Sequence, residues 1–326
     1  MGQRYGPARL RIYRYASRRG GYQPRLAVSV GDEKPVDLIE AWDDVTGTRL
    51  QPERDHFLAS TLGLIEAGPE VWSEVSDVAR AASGLDDLTV DFEDPINRLL
   101  CPMNLIASLR DFLAFESHVK LGAERRNAEV PPYWYEAPVC YKGNRRATLG
   151  PDEVCNWPRY TDHLDFELEM AMIVGRRGRD VTADQAAAHI FGFTVFNDFS
   201  ARDVQMKEVT AWLGPAKGKD FANAFGPCIV TADEVGVEPD LEMICRVNGE
   251  EWGRDRSSKM HWSWSQMVEH VSNSEDIYPG DVYGSGTPGG CCGLDLGRRL
   301  EPGDVVELEI ERIGTLRNTV GPKPQG

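Results

Sequence analysis

Between Asn197 and Phe221 the chain reads NDFSARDVQMKEVTAWLGPAKGKDF. Asp198 closes an apolar run containing Phe191, Phe193, Val195 and Phe196, and Arg202, Gln205, Lys217 and Lys219 follow closely, with Gly214, Pro215 and Gly218 bending the backbone between them. The stretch joins a carboxylate that can hold a hard cation to fixed cations and an amide that can hold an anionic, oxygen-rich molecule. Its glycines let such a molecule approach the backbone. More acids with the same use lie upstream. In DFELEMAMIV, a period of two sets Glu167 and Glu169 on one strand face and Phe166, Leu168 and Met170 on the other. In DFLAFESH, Asp111 precedes His118 by seven residues, which on a helix is nearly two turns and would set acid and imidazole on one face. Asp111, Glu167, Glu169 and Asp198 are together the donor set of an octahedral oxygen site for Mg2+ or Mn2+, with water and substrate in the remaining positions. Histidines and cysteines do not cluster around them, which argues against zinc.

The elements that must position these groups form an α+β, β-rich pattern. From about Arg9 to Arg98, short apolar runs (LRIYRY, RLAVSV, VDLIEAW) alternate with Gly, Asp and Pro turns, and helices are expected over 56–67 and 71–82. His56, the one histidine of this region, sits beside Arg54 and Asp55 and reads as solvated. The proline- and charge-rich DFEDPINRLLCPMN marks a joint. The expected division is therefore 1–97, a small N-terminal unit, and 98–326, the unit that carries the chemistry. In the second unit, Thr182 and Gln185 offer a capping box for a short helix between the Glu167/Glu169 strand and the strand ending at Asp198. Such a connection brings the three acids together if the register allows. Ser263 and Gln266 offer a second box, YPGDVYGSGT a turn, strand and Gly-rich loop, and EPGDVVELEIERIGTLRNTV a closing meander.

The 326 residues carry a net charge of −16, which repels a phosphate backbone or an anionic bilayer and argues against a nucleic-acid or membrane partner. A small anionic substrate needs only a local cationic pocket. No stretch approaches the ~20 apolar residues of a membrane span, and the basic start lacks a signal peptide's apolar core, so the expected compartment is the cytoplasm. Seven cysteines without a C-x-x-C pair suit reduced, structural thiols.

With these residues in view, the stretch from about Asn104 to Val320 resembles the fumarylacetoacetate hydrolase family through DFLAFESHVK, PVCYKGN, LDFELEMAMIVG, NDFSARDVQ, LGPAKGKDF, YPGDVYGSGT and GDVVELEIERIGTLRN. The resemblance implies a rolled, mixed β-sheet catalytic domain behind a small N-terminal domain, a homodimer, and one Mg2+ per subunit, with Mn2+ or Ca2+ as substitutes. It implies Asp111, Glu167, Glu169 and Asp198 as ligands and His118 as general base. Arg202, Gln205 and Lys219 would surround substrate and metal, with Tyr141 and Thr287 as substrate contacts. The implied reaction is hydrolysis of a carbon–carbon bond in a 2,4-dioxo acid of the acylpyruvate or fumarylacetoacetate type. A lyase on the same scaffold (a 2-keto-3-deoxy sugar acid dehydratase, a 2-oxo acid decarboxylase or an isomerase) is the alternative. Tyrosines that contact fumarylacetoacetate in the hydrolases proper are replaced here by Leu113 and Val209, and the glutamate that smaller relatives carry three residues after the histidine is Leu121. The acidic partner of His118 is then Asp295 or Glu124. The segment from Leu121 to Pro132 is the expected lid.

Overall fold

The computed structural model describes residues 8–18, 20–48 and 57–324. Its architecture follows from Leu168–Val174, all seven residues of which are buried. Leu168, Met170, Met172 and Val174 enter one core, whereas Ala171 and Ile173 enter another. A strand that is apolar on both faces belongs inside a sheet covered on both sides. Ile190–Asp198 pairs with it antiparallel on one edge, and Val282–Gly284 antiparallel on the other. Asn223–Thr231 follows beyond Ile190–Asp198, while Leu109–Phe112 runs parallel to Val282–Gly284 and carries Cys140–Lys142 at the outer edge. All belong to an 11-stranded mixed sheet.

The same sheet continues into the N-terminal region. Leu10–Ser17 pairs antiparallel with Asn223–Thr231, and Pro24–Val30 and Val36–Asp37 follow in order. Asn97–Leu99 pairs with Leu10–Ser17, so the division expected after residue 97 falls within a strand of the shared sheet. One core accordingly packs Leu10, Ile12, Leu64 and Val75 with Ile173, Phe196 and Val282. The helix Leu38–Thr46 begins at Asp37, whose carboxylate accepts from the N–H groups of Ile39 and Glu40. Thr61–Ala67 covers part of the first expected helix, and His56 lies outside the described residues. The second begins at Pro69, a residue suited to a helix's first turn because its missing N–H is not needed there.

A five-stranded sheet packs against the first, in the order Glu250–Arg256, Glu242–Val247, Val305–Ile310, Gly314–Val320, Val154–Cys155. It contains the closing meander. Trp264–Ser272 opens on the Ser263/Gln266 capping box with both of its hydrogen bonds. At Thr182, Gln185 Oε1 accepts from the Thr182 N–H, and the segment forms only a 3-10 turn, Ala186–His189. None of the described helices is long and apolar enough to cross a membrane.

Candidate active site

Sheet register assembles the acidic cluster. Glu169 pairs with Phe196, and Glu167 and Asp198 extend the same two strands by one side-chain step on that face, where the Asp198 N–H donates to the Glu167 carbonyl at 3.3 Å. Across the other edge, Ala171 pairs with Gly284 and Gly284 with Asp111, so Asp111 arrives two strands away in the same row. Gly284 is required there. A Cβ at this position would strike the Asp111 carboxylate and stand 2.8 Å from Glu169 Oε2. Asp111 and His118 do not share a helix, contrary to their expected placement. Leu109–Phe112 is a fully buried strand with sheet neighbours on both sides, which overrides the helical spacing, and the helix starts only at Glu116 and runs to Arg125.

Asp111, Glu169 and Asp198 each present a carboxylate oxygen within 4.8 Å of the others. One oxygen of each, Asp111 Oδ1, Glu169 Oε1 and Asp198 Oδ1, is buried without a hydrogen-bond partner. Buried carboxylate oxygens left unpaired are costly, and here three of them converge. Burial, followed by repulsion among the acids, pushes all three carboxyls above their ordinary range. The second oxygens are engaged: the Gly286 N–H donates to Glu169 Oε2 at 2.9 Å, and Tyr141 O–H donates to Asp198 Oδ2 at 2.9 Å. With Glu167 the cluster gathers four acids, and of the two buried cations beside them, Lys219 and Arg202, the arginine is shared with a fifth, Asp165. Hard oxygen donors, buried and unpaired, in acids that outnumber the cations beside them, fit a divalent cation such as Mg2+ or Mn2+.

Glu167 sits beside this trio but is held differently. Arg202 Nη1 stands 3.0 Å from its Oε1 as an ion pair, and Lys219 Nζ donates to its Oε2, Lys219 also reaching Asp198 Oδ2. Burial opposes its charge, but Arg202, Lys219 and His118 outweigh that and hold Glu167 well below the usual glutamate range. Lys219, buried as well, is kept an ammonium by Asp198 and Glu167. Arg202 Nε donates at 2.8 Å to Asp165, and Nη1 at 3.1 Å to Gln205. Asp165 in turn accepts from the N–H groups of Gly293 and Leu294, both at 2.9 Å, and so ties the arginine to the segment that carries Asp295. Asp165 was not among the expected site residues. Its place two residues before Glu167, on the same two-residue period, is the signal that identifies it.

His118 Nδ1 lies 2.7 Å from Asp295 Oδ2, and Arg125 Nη1 donates at 2.7 Å to Asp295 Oδ1. The Gly290 N–H also donates to Oδ2, at 3.0 Å. Burial works against the Asp295 charge, but the bonds from His118, Gly290 and Arg125 prevail and keep its carboxyl below the ordinary aspartate range. A carboxylate can only accept, so the proton of this bond resides on Nδ1, and in the neutral ring the lone pair is then on Nε2. Nε2 is 3.8 Å from Glu167 Oε1. Of the two candidate partners for His118, Asp295 is the one in contact, and Glu124 is exposed.

Asp111, His118, Arg125, Glu167, Glu169 and Arg202 line one cavity of about 670 Å³, together with Tyr141, Gln205, Lys219 and Thr287. Thr287 is buried and its hydroxyl donates to the Cys291 carbonyl at 3.2 Å. Much of the wall is apolar and includes Leu113, Val119, Val139, Met206 and Val209. Of the expected lid Leu121–Arg125 is α-helical and its last residue, Pro132, opens a 3-10 turn, and Gly122, Arg125 and Arg126 from that segment face the cavity.

A sheet-rich α+β fold with this cluster on the face of the large sheet turned away from the five-stranded one defines the class, and the chain belongs to the fumarylacetoacetate hydrolase family: residues 108–321 match the family described as fumarylacetoacetate (FAA) hydrolase C-terminal. Among its relatives, mitochondrial oxaloacetate tautomerase FAHD2A of Bos taurus is 35% identical over 202 residues, 60% of this chain and 61% of that protein. The chain thus matches rather less than two thirds of that relative's length. Oxaloacetate tautomerase YisK of Bacillus subtilis is 27% identical over 305 residues, 91% of this chain and 96% of its own. Fumarylacetoacetate hydrolase from Exiguobacterium antarcticum superimposes with a TM-score of 0.69 at 25% identity, covering 96% of this chain and 100% of the other. Fumarylpyruvate hydrolase from Pseudomonas aeruginosa, solved with Mn2+ and pyruvate, shares the fold at a TM-score of 0.58 and 22% identity, over 67% of this chain and 91% of its own.

Proposed function

We propose that this chain is a divalent-metal-dependent enzyme of small anionic 2-oxo acids whose reaction is proton transfer at the carbon beside the carbonyl, the keto–enol interconversion of an oxaloacetate-type acid. The observation that carries this is the hydrogen-bonded His118–Asp295 pair, whose imidazole lines the same cavity as Asp111 and Glu169, beside the buried, unpaired oxygens of Asp111, Glu169 and Asp198. The relatives named as oxaloacetate tautomerases support the choice of substrate.

Asp111, Glu169 and Asp198 would hold the cation, with Glu167 beside them. When bound, a divalent ion polarises the carbonyl and favours the enolate oxygen. In the keto-to-enol direction His118 Nε2 takes the proton from the carbon and the enolate oxygen gains one from water, the imidazolium then losing its proton to solvent. Ketonisation is the reverse, and Asp295 fixes the ring's tautomer and stabilises the imidazolium formed in between. Lys219 and Arg202 place positive charge beside the region where enolate charge grows, where fixed charge in a dry site acts most strongly. Gln205 and Thr287 line the space that the substrate's oxygens would occupy.

Hydrolysis of a carbon–carbon bond in a 2,4-dioxo acid is the second reading. The same Nε2 lone pair could accept a proton from water, and the family includes such hydrolases. The apolar Leu113 and Val209 in the wall, where hydroxyls would serve fumarylacetoacetate, favour the first reading. The test mixes purified protein and Mg2+ with freshly dissolved enol-oxaloacetate and follows loss of the enol's ultraviolet absorbance, with chelator as control. Acetylpyruvate, fumarylpyruvate and fumarylacetoacetate are assayed in parallel, with products weighed by mass spectrometry. Ketonisation no faster than in buffer refutes the tautomerase reading, and two-fragment products from a dioxo acid install the hydrolase in its place.

A further inference from the structure

The helix Glu116–Arg125 brings two arginines back toward the base. Gly122 follows His118 by four residues, one turn or about 6 Å along the axis, on the same face. Both residues line the cavity. The guanidinium nitrogens of Arg126 come within 3.6 and 3.7 Å, and Arg125 Nη2 within 3.7 Å, of the point where a Cβ on Gly122 would stand. Two like charges therefore meet over a residue that has no side chain, at the edge of the cavity that contains the acidic cluster. Arg125 is neutralised by Asp295. Arg126 is exposed, and among the described residues its guanidinium has no ion pair or hydrogen bond. Arg126 thus presents an unpaired guanidinium at the cavity's edge, and the planar fork of arginine suits a carboxylate.

We propose that Arg126, seconded by Arg125 above Gly122, reads the second carboxylate of a dicarboxylic 2-oxo acid, whose reacting end lies toward the Asp111, Glu169 and Asp198 cluster. This rests on the 2-oxo acid reading given above and adds what selects the acid: a short dicarboxylate is preferred to a monocarboxylate of equal length. Arg126 acts on affinity and leaves the base untouched. Arg125, shared with Asp295, links occupancy of this subsite to the His118 pair.

Binding and turnover are measured separately, on the full chain with Mg2+. Calorimetry uses 3,3-difluorooxaloacetate, which has no proton to lose, against 3,3-difluoro-2-oxobutanoate, which lacks the second carboxylate. Removing a charged hydrogen-bond partner costs about 10- to 100-fold in affinity. Arg126→Gln is expected to weaken the dicarboxylate by that factor and leave the monocarboxylate within about twofold, with Arg126→Lys in between. KM for oxaloacetate should rise in parallel while kcat holds. Equal losses on both ligands, or none on either, overturn the subsite. If the wild type binds the difluoro dicarboxylate with the stated preference but turns over no oxaloacetate, the activity reading fails and the subsite stands. If it turns over oxaloacetate and Arg126→Gln changes neither Kd nor KM, the subsite fails alone. An unchanged melting temperature for Arg126→Gln shows that the fold is intact.

Discussion

Asp295→Asn removes one charge and almost no volume, yet it should nearly silence the enzyme. Both oxygens of Asp295 accept: Oδ1 from Arg125, Oδ2 from His118 and the Gly290 N–H. An asparagine offers one oxygen and one NH2. If the NH2 takes the Oδ1 position it faces the Arg125 guanidinium, donor against donor. If it takes the Oδ2 position it faces the Gly290 N–H and donates to His118 Nδ1, which moves the imidazole proton to Nε2 and removes the lone pair the reaction needs. Either outcome also loses the charge that stabilises the imidazolium. A positioned acid–base group contributes about 10²–10⁴-fold, so kcat should fall about 10³-fold, equivalent to ~4 kcal/mol of barrier, with KM changed only a few-fold. Acid stability should change as well. The Asp295 carboxyl is depressed in the fold, so its stabilisation is complete above the unfolded aspartate pKa, about 4, and fades as pH falls through the lower folded value. Asp295→Asn should therefore be less stable at neutral pH and show a shallower decline below about pH 4. Steady-state kinetics at saturating Mg2+ and thermal scans across pH check both. A variant retaining more than a tenth of wild-type kcat would refute the role given to the pair.

Three further outcomes follow from the same geometry. Mg2+ or Mn2+ at about 100 times its Kd should stabilise the protein by ~2.7 kcal/mol, seen as a higher melting temperature that chelator reverses; Glu169→Gln should abolish the shift. Gly284→Ala should place a methyl against the carboxylates of Asp111 and Glu169 and cost about 1–3 kcal/mol by overpacking, with loss of Mn2+ binding by titration; an unchanged affinity would refute the close approach. Arg202→Ala leaves Asp165 and Glu167 buried without their arginine, so chemical denaturation should show a loss of about 3–5 kcal/mol, well beyond that of an exposed, ion-paired arginine such as Arg317.

Much of the site was legible because its chemistry is written in strands. The two-residue period of DFELEM put Glu167 and Glu169 on one face, and the register then supplied Asp198 opposite. Asp111 shows where local pattern fails: its seven-residue spacing to His118 suits a helix, but pairing of Leu109–Phe112 with Val282–Gly284, more than 170 residues away, decides the matter. No local rule contains that partner. The division of the four acids into an unpaired trio and a Glu167 clamped by Lys219 and Arg202 was likewise invisible, since it depends on which oxygens each cation reaches. Asp295 could be picked out as a partner for His118 only from resemblance, because the two lie 177 residues apart. The continuity of the sheet through the N-terminal region was hidden for the same reason.

That continuity bears on how the chain can be cut. Leu10–Ser17 covers the flank of Asn223–Thr231, a nine-residue strand whose neighbour ends at Asp198. A fragment beginning near residue 98 would unpair the Ile229–Val230 end of that strand, whose other end Thr148 and Leu149 hold, and bare the apolar face that Leu10 and Ile12 cover. An edge bared in this way recruits strands from other molecules, and truncation should yield aggregates rather than a minimal enzyme.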